Sequence, residues 1–140
     1  MNSFARKLAT AGSALALAAS GLLLASSPAS AATSCHGPSC TGLDPSTTVC
    51  QNDARTVRTG DWGVELRYSP TCRAAWARKT SGASFDTDIR VSNSRGDSRS
   101  VHYGGHGTVY TAMVNDKDVS ARACETRAYA TIETHCTGWY

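Results

Sequence analysis

Apolar and polar residues alternate along much of the chain beyond residue 60. In the segment WGVELRYS, residues 62–69, the side chains of Val64, Leu66 and Tyr68 alternate with charged ones. A period of two residues is typical of a β-strand that buries one face. The pattern therefore predicts a strand over residues 62–69, with these three apolar side chains facing a core.

A second segment with the same period, CRAAWARK, spans residues 72–79 and follows the turn residues Ser69 and Pro70. Alternation places Trp76 on one face, with Cys72 and Ala74. Its alanines are also compatible with a helix, so the hairpin over residues 62–79 is one of two interpretations.

Three further segments are rich in β-branched and aromatic residues, which favour strands. They are TDIRVS (87–92), TVYTAMV (108–114) and VSARACETRAYATIETHC (119–136). The intervening stretches contain the residues that favour turns, and we expect loops at residues 92–98, 102–107 and 114–118. Several short strands of this kind predict a mostly β fold, either a small barrel or a sandwich.

The segment over residues 35–47 does not follow either period. Its Pro, Gly and Asp residues predict an irregular conformation, with a helical turn near Ser46 that Asp44 and Pro45 could cap. The predicted fold is thus a small β-barrel or sandwich with an irregular N-terminal segment.

The first 31 residues have the organisation of a secretory signal peptide. Arg6 and Lys7 precede a long uncharged apolar run, and Ala29 and Ala31 form a small-x-small cleavage site. The run is close to the minimum length for a membrane span, so a retained anchor is the alternative. We expect cleavage after Ala31 and a secreted, extracellular product that no longer contacts the membrane.

The remaining residues, 32–140, are enough for a single domain with a modest core. The whole chain has 14 basic and 11 acidic side chains, and Arg6 and Lys7 leave with the signal. Twelve basic side chains then face eleven acidic ones, a formal charge of about +1. Since a near-neutral surface attracts neither polyanion, we expect no nucleic-acid partner and no binding to anionic membranes.

All six cysteines lie after the predicted signal: Cys35, Cys40, Cys50, Cys72, Cys124 and Cys136. An even number in a small exported domain predicts a disulfide framework. The spacing between Cys35 and Cys40 is too long for a C-x-x-C redox pair, and His36 is misplaced for haem attachment. Structural zinc needs a second ligand pair that the sequence does not supply. We therefore expect neither a metal nor a cofactor.

Six cysteines allow 15 pairings, and the simplest joins neighbours: Cys35 with Cys40, Cys50 with Cys72, and Cys124 with Cys136. The last pair raises a difficulty, because the residues between them contain no turn former. One straight strand would separate its ends by roughly 40 Å at about 3.3 Å per residue, whereas a disulfide needs Cα atoms within about 7 Å. Either the stretch bends near residues 128–130 or Cys124 pairs elsewhere.

The motifs CHGPSCTGLDP, ELRYSPTCRAAWAR, YTAMV and the final CTGWY give the chain a resemblance to a known family. It resembles the YjfA-like family of small exported bacterial proteins, a domain of unknown function. The resemblance extends over nearly all of residues 32–140, and LRYSPTCRAAWAR is its most specific part. It implies an exported, disulfide-bonded domain and brings no activity, cofactor or catalytic residue.

Candidate catalytic and metal-binding groups are present but not in the spacing that such sites need. His102 and His106 are four residues apart, but the glycines around them disfavour the helix that would bring both to one metal. Ser69 precedes a proline and is interpreted as a turn residue. Asp86 and Asp88 share a strand face, which is also common for solvated carboxylates. We expect no enzyme activity.

The predicted hairpin carries basic and aromatic residues together. Alternation places Arg67 and Arg73 on the side opposite Leu66, Tyr68 and Trp76, where they could stack on tryptophan or pair with Glu65. Alternatively, a partner-binding face is formed by five residues: Arg67, Arg73, Trp62, Trp139 and Tyr140.

The sequence favours a secreted, non-catalytic binding or structural module of the cell envelope. A cell-wall polymer or another secreted protein are the partners we expect. An inhibitor of a secreted protease is the alternative, because a disulfide-stapled loop could enter an active site rigidly. A small secreted hydrolase is the third possibility.

Overall fold

The computed structural model describes residues 30–82 and 86–140. The predicted signal peptide, except for its last two residues, lies outside the described residues. Within the described ranges, the helices are three short 3-10 turns, Gly37–Cys40, Pro45–Thr47 and Val49–Asn52. No helix there has the length and apolar character needed to cross a membrane.

The described residues contain nine β-strands in two antiparallel sheets. The strands are β1 (Arg55–Thr59), β2 (Glu65–Ser69), β3 (Ala74–Lys79), β4 (Thr87–Asn93), β5 (Ser98–Tyr103), β6 (Val109–Tyr110), β7 (Val114–Asn115), β8 (Ala121–Ala128) and β9 (Ile132–Cys136). The first sheet has the order β1-β2-β3-β6, with β7 also paired to β3, and the second has the order β5-β4-β8-β9.

The mostly β class and the irregular N-terminal segment are confirmed. The two sheets do not close into a barrel, and their inner faces share one group of buried residues. The arrangement is therefore the sandwich of the two predicted alternatives. The helical turn predicted near Ser46 is present as a 3-10 turn, where Asp44 Oδ1 accepts a hydrogen bond from the Ser46 N–H.

The β2–β3 hairpin forms as the alternation predicts, because both faces of β3 find apolar partners. Ala75 and Ala77 face the other sheet, whereas Ala74 and Trp76 face the cysteines of the N-terminal segment. The register places Arg67 opposite Trp76, so these two side chains share a face. The prediction that Arg67 lies on the side away from Trp76 is wrong, since it did not fix the register across the turn.

The buried residues between the two sheets form the sheet core, which consists of Val64, Leu66, Ala75, Ala77, Ile89, Val91, Val114, Ala121 and Ala123. A fully buried ion pair joins the sheets beside it. Lys79 Nζ of β3 lies 2.8 Å from Glu125 Oε2 of β8, and both side chains are inaccessible to solvent. Lys79 also donates to the carbonyl of Trp62, and Arg127 pairs with the other oxygen of Glu125.

A second group of buried residues, the cysteine core, lies between β3 and the N-terminal segment. It consists of Cys40, Cys50, Cys72, Ala74, Trp76 and Met113. Gly37 has a φ of +56°, and a Cβ at this position would approach Asn115 Oδ1 and the Lys117 side chain to 3.2 Å. Glycine thus allows the first cysteine loop, residues 35–40, to pack directly on β7 and on the residues that follow it.

Disulfide bonds join Cys35 to Cys40, Cys50 to Cys72, and Cys124 to Cys136. The last bond is possible because the chain reverses between β8 and β9, which end and begin at Ala128 and Ile132. A hydrogen bond from the Tyr129 N–H to the Thr131 carbonyl closes the turn. The bend near residues 128–130 is therefore the correct one of the two alternatives.

Two strands were not predicted. β1 is an exposed edge strand with only Val57 partly buried, and β5 includes residues 98 and 102–103, which were assigned to loops. The segment 108–114 is the reverse case. It forms two short strands, Val109–Tyr110 and Val114–Asn115, on either side of a bend. At the bend the Ala77 N–H of β3 bonds to the Thr111 side chain in place of a backbone carbonyl, and the Met113 N–H donates to Leu43 of the N-terminal segment.

Candidate functional site

A groove of about 270 Å³ lies on the outer face of the first sheet, where the N-terminal segment crosses it. Its residues come from the 3-10 turns, from β2, β3 and β6, and from the single positions that precede β1 and β6. They are Pro45, Ser46, Gln51, Ala54, Arg67, Trp76, Arg78, Thr108 and Tyr110.

Strand register brings the aromatic and basic side chains of the groove together. Arg67 of β2 is the cross-strand neighbour of Trp76 on β3, and Arg78 is the neighbour of Tyr110 on β6. Residues that lie directly opposite in an antiparallel pair have side chains on the same face. The sheet therefore places two guanidinium groups and an exposed phenol ring around an indole that is almost fully buried.

Among the described residues, Arg67 forms no hydrogen bond or ion pair with a carboxylate, and the attraction of the nearby Glu65 is its smallest electrostatic effect. Its guanidinium donates to Thr56 Oγ1 at 2.9 Å and to the Ala54 carbonyl at 2.8 Å, both of them neutral acceptors. Partial burial, together with repulsion from Arg78, lowers the pKa of Arg67. The group remains charged near neutral pH, since arginine titrates so far above it.

The second arginine is neutralised within the protein. Arg78 Nε lies 2.6 Å from Glu65 Oε2. Burial works against the charge of this carboxylate, but the hydrogen bond and the charge of Arg78 hold the pKa of Glu65 below its usual value. Arg78 is therefore directly paired with Glu65, whereas the hydrogen-bond acceptors of Arg67 among the described residues are neutral.

The five residues of the predicted partner-binding face contact different neighbours. Arg67 lies in the groove, and Arg73 forms a surface ion pair with Asp118 at 3.0 Å. The ring of Trp62 lies 4.0 Å from that of His135 and under the guanidinium of Arg127.

Trp139 and Tyr140 follow the last strand and lie along β8. The backbone of Tyr140 exchanges two hydrogen bonds with Ala121, and its ring meets that of Tyr68 edge-on at 5.2 Å. Arg122 stacks over Trp139 at 4.5 Å. Trp139 and Tyr140 thus lie beside other cations and aromatic rings, in contacts that do not include Arg67.

The remaining candidates are also located. His102 Nδ1 lies 2.9 Å from Asp88 Oδ1 on the exposed face of the second sheet, whereas His106 is in the exposed loop that follows β5. Asp86 lies just before β4, where its carbonyl accepts from Ala128. Ser69 is buried and donates to Asp53 while accepting from the Cys72 N–H, which is the arrangement of a turn residue.

In the described ranges, the ligating side chains that meet in a cluster of three or more are Cys35, Cys40, Cys50 and Cys72. They form two disulfides here. A second depression, of about 520 Å³, lies on the outer face of the second sheet, over the third disulfide. It contains Arg90 and Arg122 among serine and threonine residues, and no aromatic residue lines it.

Sequence reasoning identified Arg67 but did not include Gln51 and Tyr110 in a site. Gln51 is set in place by a hydrogen bond from its side-chain amide to the Ser46 carbonyl. Tyr110 reaches the groove because β6 pairs with β3, about thirty residues earlier in the chain. Tyr110 is an aromatic residue within the segment predicted as a strand, and this was the sequence signal that could have pointed to it.

A family model described as "Protein of unknown function (DUF2690)" matches residues 38–124. The matched range contains the groove residues and Cys40, Cys50, Cys72 and Cys124, whereas Cys35 and Cys136 lie outside it. No curated protein and no solved structure matches the chain.

Proposed function

Because this chain belongs to the DUF2690 family of proteins of unknown function, we propose its function from its own side chains: it is a non-catalytic module that binds anionic saccharide polymers of the cell envelope. The observation that carries this proposal is the groove that Trp76 and Tyr110 line together with Arg67, whose hydrogen-bond acceptors among the described residues are neutral.

The chemistry of the groove fits an acidic sugar. A carboxylate can take two parallel hydrogen bonds from a guanidinium, and sugar rings present C–H faces that pack on aromatic rings. Gln51, Ser46 and Thr108 add hydrogen-bonding groups around the rim. Arg67 already holds a fixed position through Thr56 and Ala54, so little side-chain entropy is lost on binding.

We further propose that the module is secreted and that it is YjfA-like. Three disulfides in a small domain are typical of an oxidising compartment, and the basic, apolar and small-residue order of residues 1–31 is that of a cleaved signal. The intact mass of protein collected from culture supernatant tests this proposal. A product that begins at or near Ala32 supports it, and a membrane-embedded precursor contradicts it.

Binding is tested with a matched pair of ligands, oligogalacturonate and its methyl ester, by calorimetry on the protein with its disulfides intact. We expect the acid to bind and the ester to bind at least tenfold more weakly, because esterification removes the charge that Arg67 recognises. Arg67→Gln is expected to weaken the binding of the acid about tenfold or more.

Arg90→Gln is the matched control, since it removes one arginine from the other sheet's outer face. Its binding should equal that of the wild type. Equal affinity of Arg67→Gln and wild type, or equal affinity for acid and ester, contradicts the proposal. Co-sedimentation with isolated cell wall extends the same comparison to the polymer.

A protease inhibitor remains a second candidate because of one further feature. The β8–β9 hairpin is stapled by Cys124–Cys136, and its tip projects Tyr129 and Ile132, which are 65% and 78% exposed. A rigid, exposed loop of this kind fits an active-site cleft. Slow, tight inhibition of a secreted protease that Tyr129→Gly abolishes would favour this candidate over the saccharide module.

A further inference from the structure

We propose that the four cysteines of the N-terminal half, once reduced, form a tetrathiolate site for one thiophilic metal ion such as Zn²⁺. The site consists of Cys35, Cys40, Cys50 and Cys72, and it is separate from the groove of the proposed function. The same four sulfurs would then hold this half of the domain together in two ways, as two disulfides or as one metal centre.

The sulfur positions carry this proposal. All four Sγ atoms lie within 4.8 Å of one another, and the sulfurs of Cys35 and Cys50, which belong to different disulfides, are 3.5 Å apart. In a tetrahedral zinc site, Zn–S bonds of about 2.3 Å place the sulfurs about 3.8 Å from each other. Four thiolates therefore need only shifts of about an ångström to surround one ion.

The cysteines also have backbone bonds that hold them in place independently of sulfur. The Cys72 N–H donates to Ser69 Oγ at 3.1 Å, and its carbonyl accepts from the Gly37 N–H at 2.7 Å. The first cysteine loop is fixed further by the bonds that Gly42 and Leu43 exchange with Met113.

Hydrogen bonds that do not involve sulfur also hold the backbone around Cys50. Its N–H donates to Thr48 Oγ1, and Thr33 bonds to the backbone at positions 47 and 49 on either side of Thr48. We therefore expect the four thiols to stay close together after the two S–S bonds are cut.

Burial favours a metal of borderline or soft character. Cys40, Cys50 and Cys72 are inaccessible to solvent, and Ala74, Trp76 and Met113 surround them. Thiolate ligands in a shielded apolar shell select Zn²⁺, Cd²⁺ or Cu⁺ over the oxygen-seeking Mg²⁺ and Ca²⁺. Cys35 is only half-buried, which gives a reductant and an ion a point of access.

The conversion is balanced with a water-soluble trialkylphosphine as the reductant. Each disulfide accepts two electrons from one phosphine, which becomes a phosphine oxide with an oxygen atom from water, and two thiols form. Two phosphines thus release four thiols from this cluster. One Zn²⁺ then replaces four protons as the four Zn–S bonds form.

The experiment uses the domain of residues 32–140, reduced with the phosphine in neutral buffer, and Co²⁺ followed by Zn²⁺ as probes. We expect one Co²⁺ per chain with the visible absorption of a tetrahedral thiolate complex, which one equivalent of Zn²⁺ removes. Zinc should raise the Tm of the reduced protein by on the order of 10 °C, because it binds the folded form preferentially. The oxidised protein should take up neither ion.

Two matched variants separate this site from general thiol binding. Cys124→Ser with Cys136→Ser removes the disulfide of the other sheet and should keep one Co²⁺ and its spectrum. Cys40→Ser with Cys72→Ser should lose both the spectrum and the Tm increase. Reduced wild-type protein that takes up no Co²⁺, whether folded or unfolded, overturns the proposal, and so does an unchanged Co²⁺ spectrum in the Cys40/Cys72 variant.

Discussion

Within the described part of the chain, the sheet core contains nine buried apolar residues and no cysteine, whereas three of the six residues of the cysteine core are cysteines. The sheet core is closed by strands from both sheets. The cysteine core has β3 on one side and three 3-10 turns on the other, which supply few backbone ladder bonds. Covalent bonds thus take the place of a second sheet.

The two regions also differ in how they treat buried charge. Beside the sheet core, Lys79 and Glu125 are fully buried, and each has a charged partner. Asp116, whose N–H donates to the carbonyl of Arg73 next to Cys72, is only 6% exposed, and its Oδ1 has no hydrogen-bond partner among the described residues. Burial raises the pKa of Asp116 to about 7, against the smaller opposing effect of Arg73.

The comparison teaches that the buried charges between the sheets are paired with each other, whereas the buried acid near the disulfides is accommodated as a protonated carboxyl. Cross-linking lowers the entropy of the unfolded chain, so the native state withstands a larger local cost. The two sheets are not joined to each other by a disulfide, so the space between them lacks this entropic stabilisation. A lone buried charge there would cost several kcal/mol of stability.

The largest effect is expected from Asp116, through pH. Its carboxyl keeps a proton in the folded state up to about pH 7, whereas the unfolded chain releases it near 3.8. The contribution of this carboxyl to the free energy of unfolding therefore falls as the pH rises from about 4 to 7, by up to about 4 kcal/mol at 1.36 kcal/mol per pKa unit.

Asp116→Asn removes this titration. Denaturant unfolding at pH 4 and pH 8 should show a much smaller stability difference between the two pH values in the variant than in the wild type. At pH 8 the variant should be the more stable of the two. Equal changes in stability between pH 4 and pH 8 in the two proteins would contradict the effect of burial on the pKa of Asp116.

Lys79→Met is expected to cost about 3 kcal/mol, because it leaves Glu125 buried with only Arg127 as a charged partner. The double variant Lys79→Met with Glu125→Leu replaces both charges by apolar groups and should recover most of that loss. Chemical unfolding of the three proteins measures the difference. A double variant as unstable as the single one would show that the pair is not the cause.

Removal of the Cys50–Cys72 bond by alanine at both positions should cost roughly 3 kcal/mol, since it opens a loop of about 22 residues. At about 4 °C per kcal/mol, the Tm should fall by on the order of 10 °C. Hydrogen exchange sharpens the comparison. In the variant, amides of the N-terminal segment should lose protection from exchange first, and amides of β4 and β8 should change least. An equal loss of protection in both regions would show that the two regions unfold as one.

Alternation predicted β2 and β3, and β-branched composition predicted β4; one face of β2 and of β4 meets a core and the other is more exposed. It failed for β1, an edge strand whose side chains are nearly all exposed. It failed for β5 as well, because its outward serines and histidine resemble a loop. Neither strand buries enough apolar surface to leave a period in the sequence.

The candidate site was predictable only in part, and for a related reason. Arg67 and Trp76 belong to one local hairpin, whereas Tyr110 and Gln51 reach the groove through non-local packing. The burial of Lys79 was equally hidden, since a lysine at the end of a strand is normally solvated. What the sequence does not encode locally is which strands become neighbours.

All three disulfides join cysteines that are consecutive along the chain, with separations of 5, 22 and 12 residues. For a chain that emerges N-terminus first, the correct partner of each unpaired cysteine is the next one to appear. Cys40 is available to Cys35 before Cys50 is, although the sulfurs of Cys35 and Cys50 are close in the finished fold. If the cysteines oxidise in the order in which they appear, that order alone yields this one of the 15 possible pairings, with no later reshuffling.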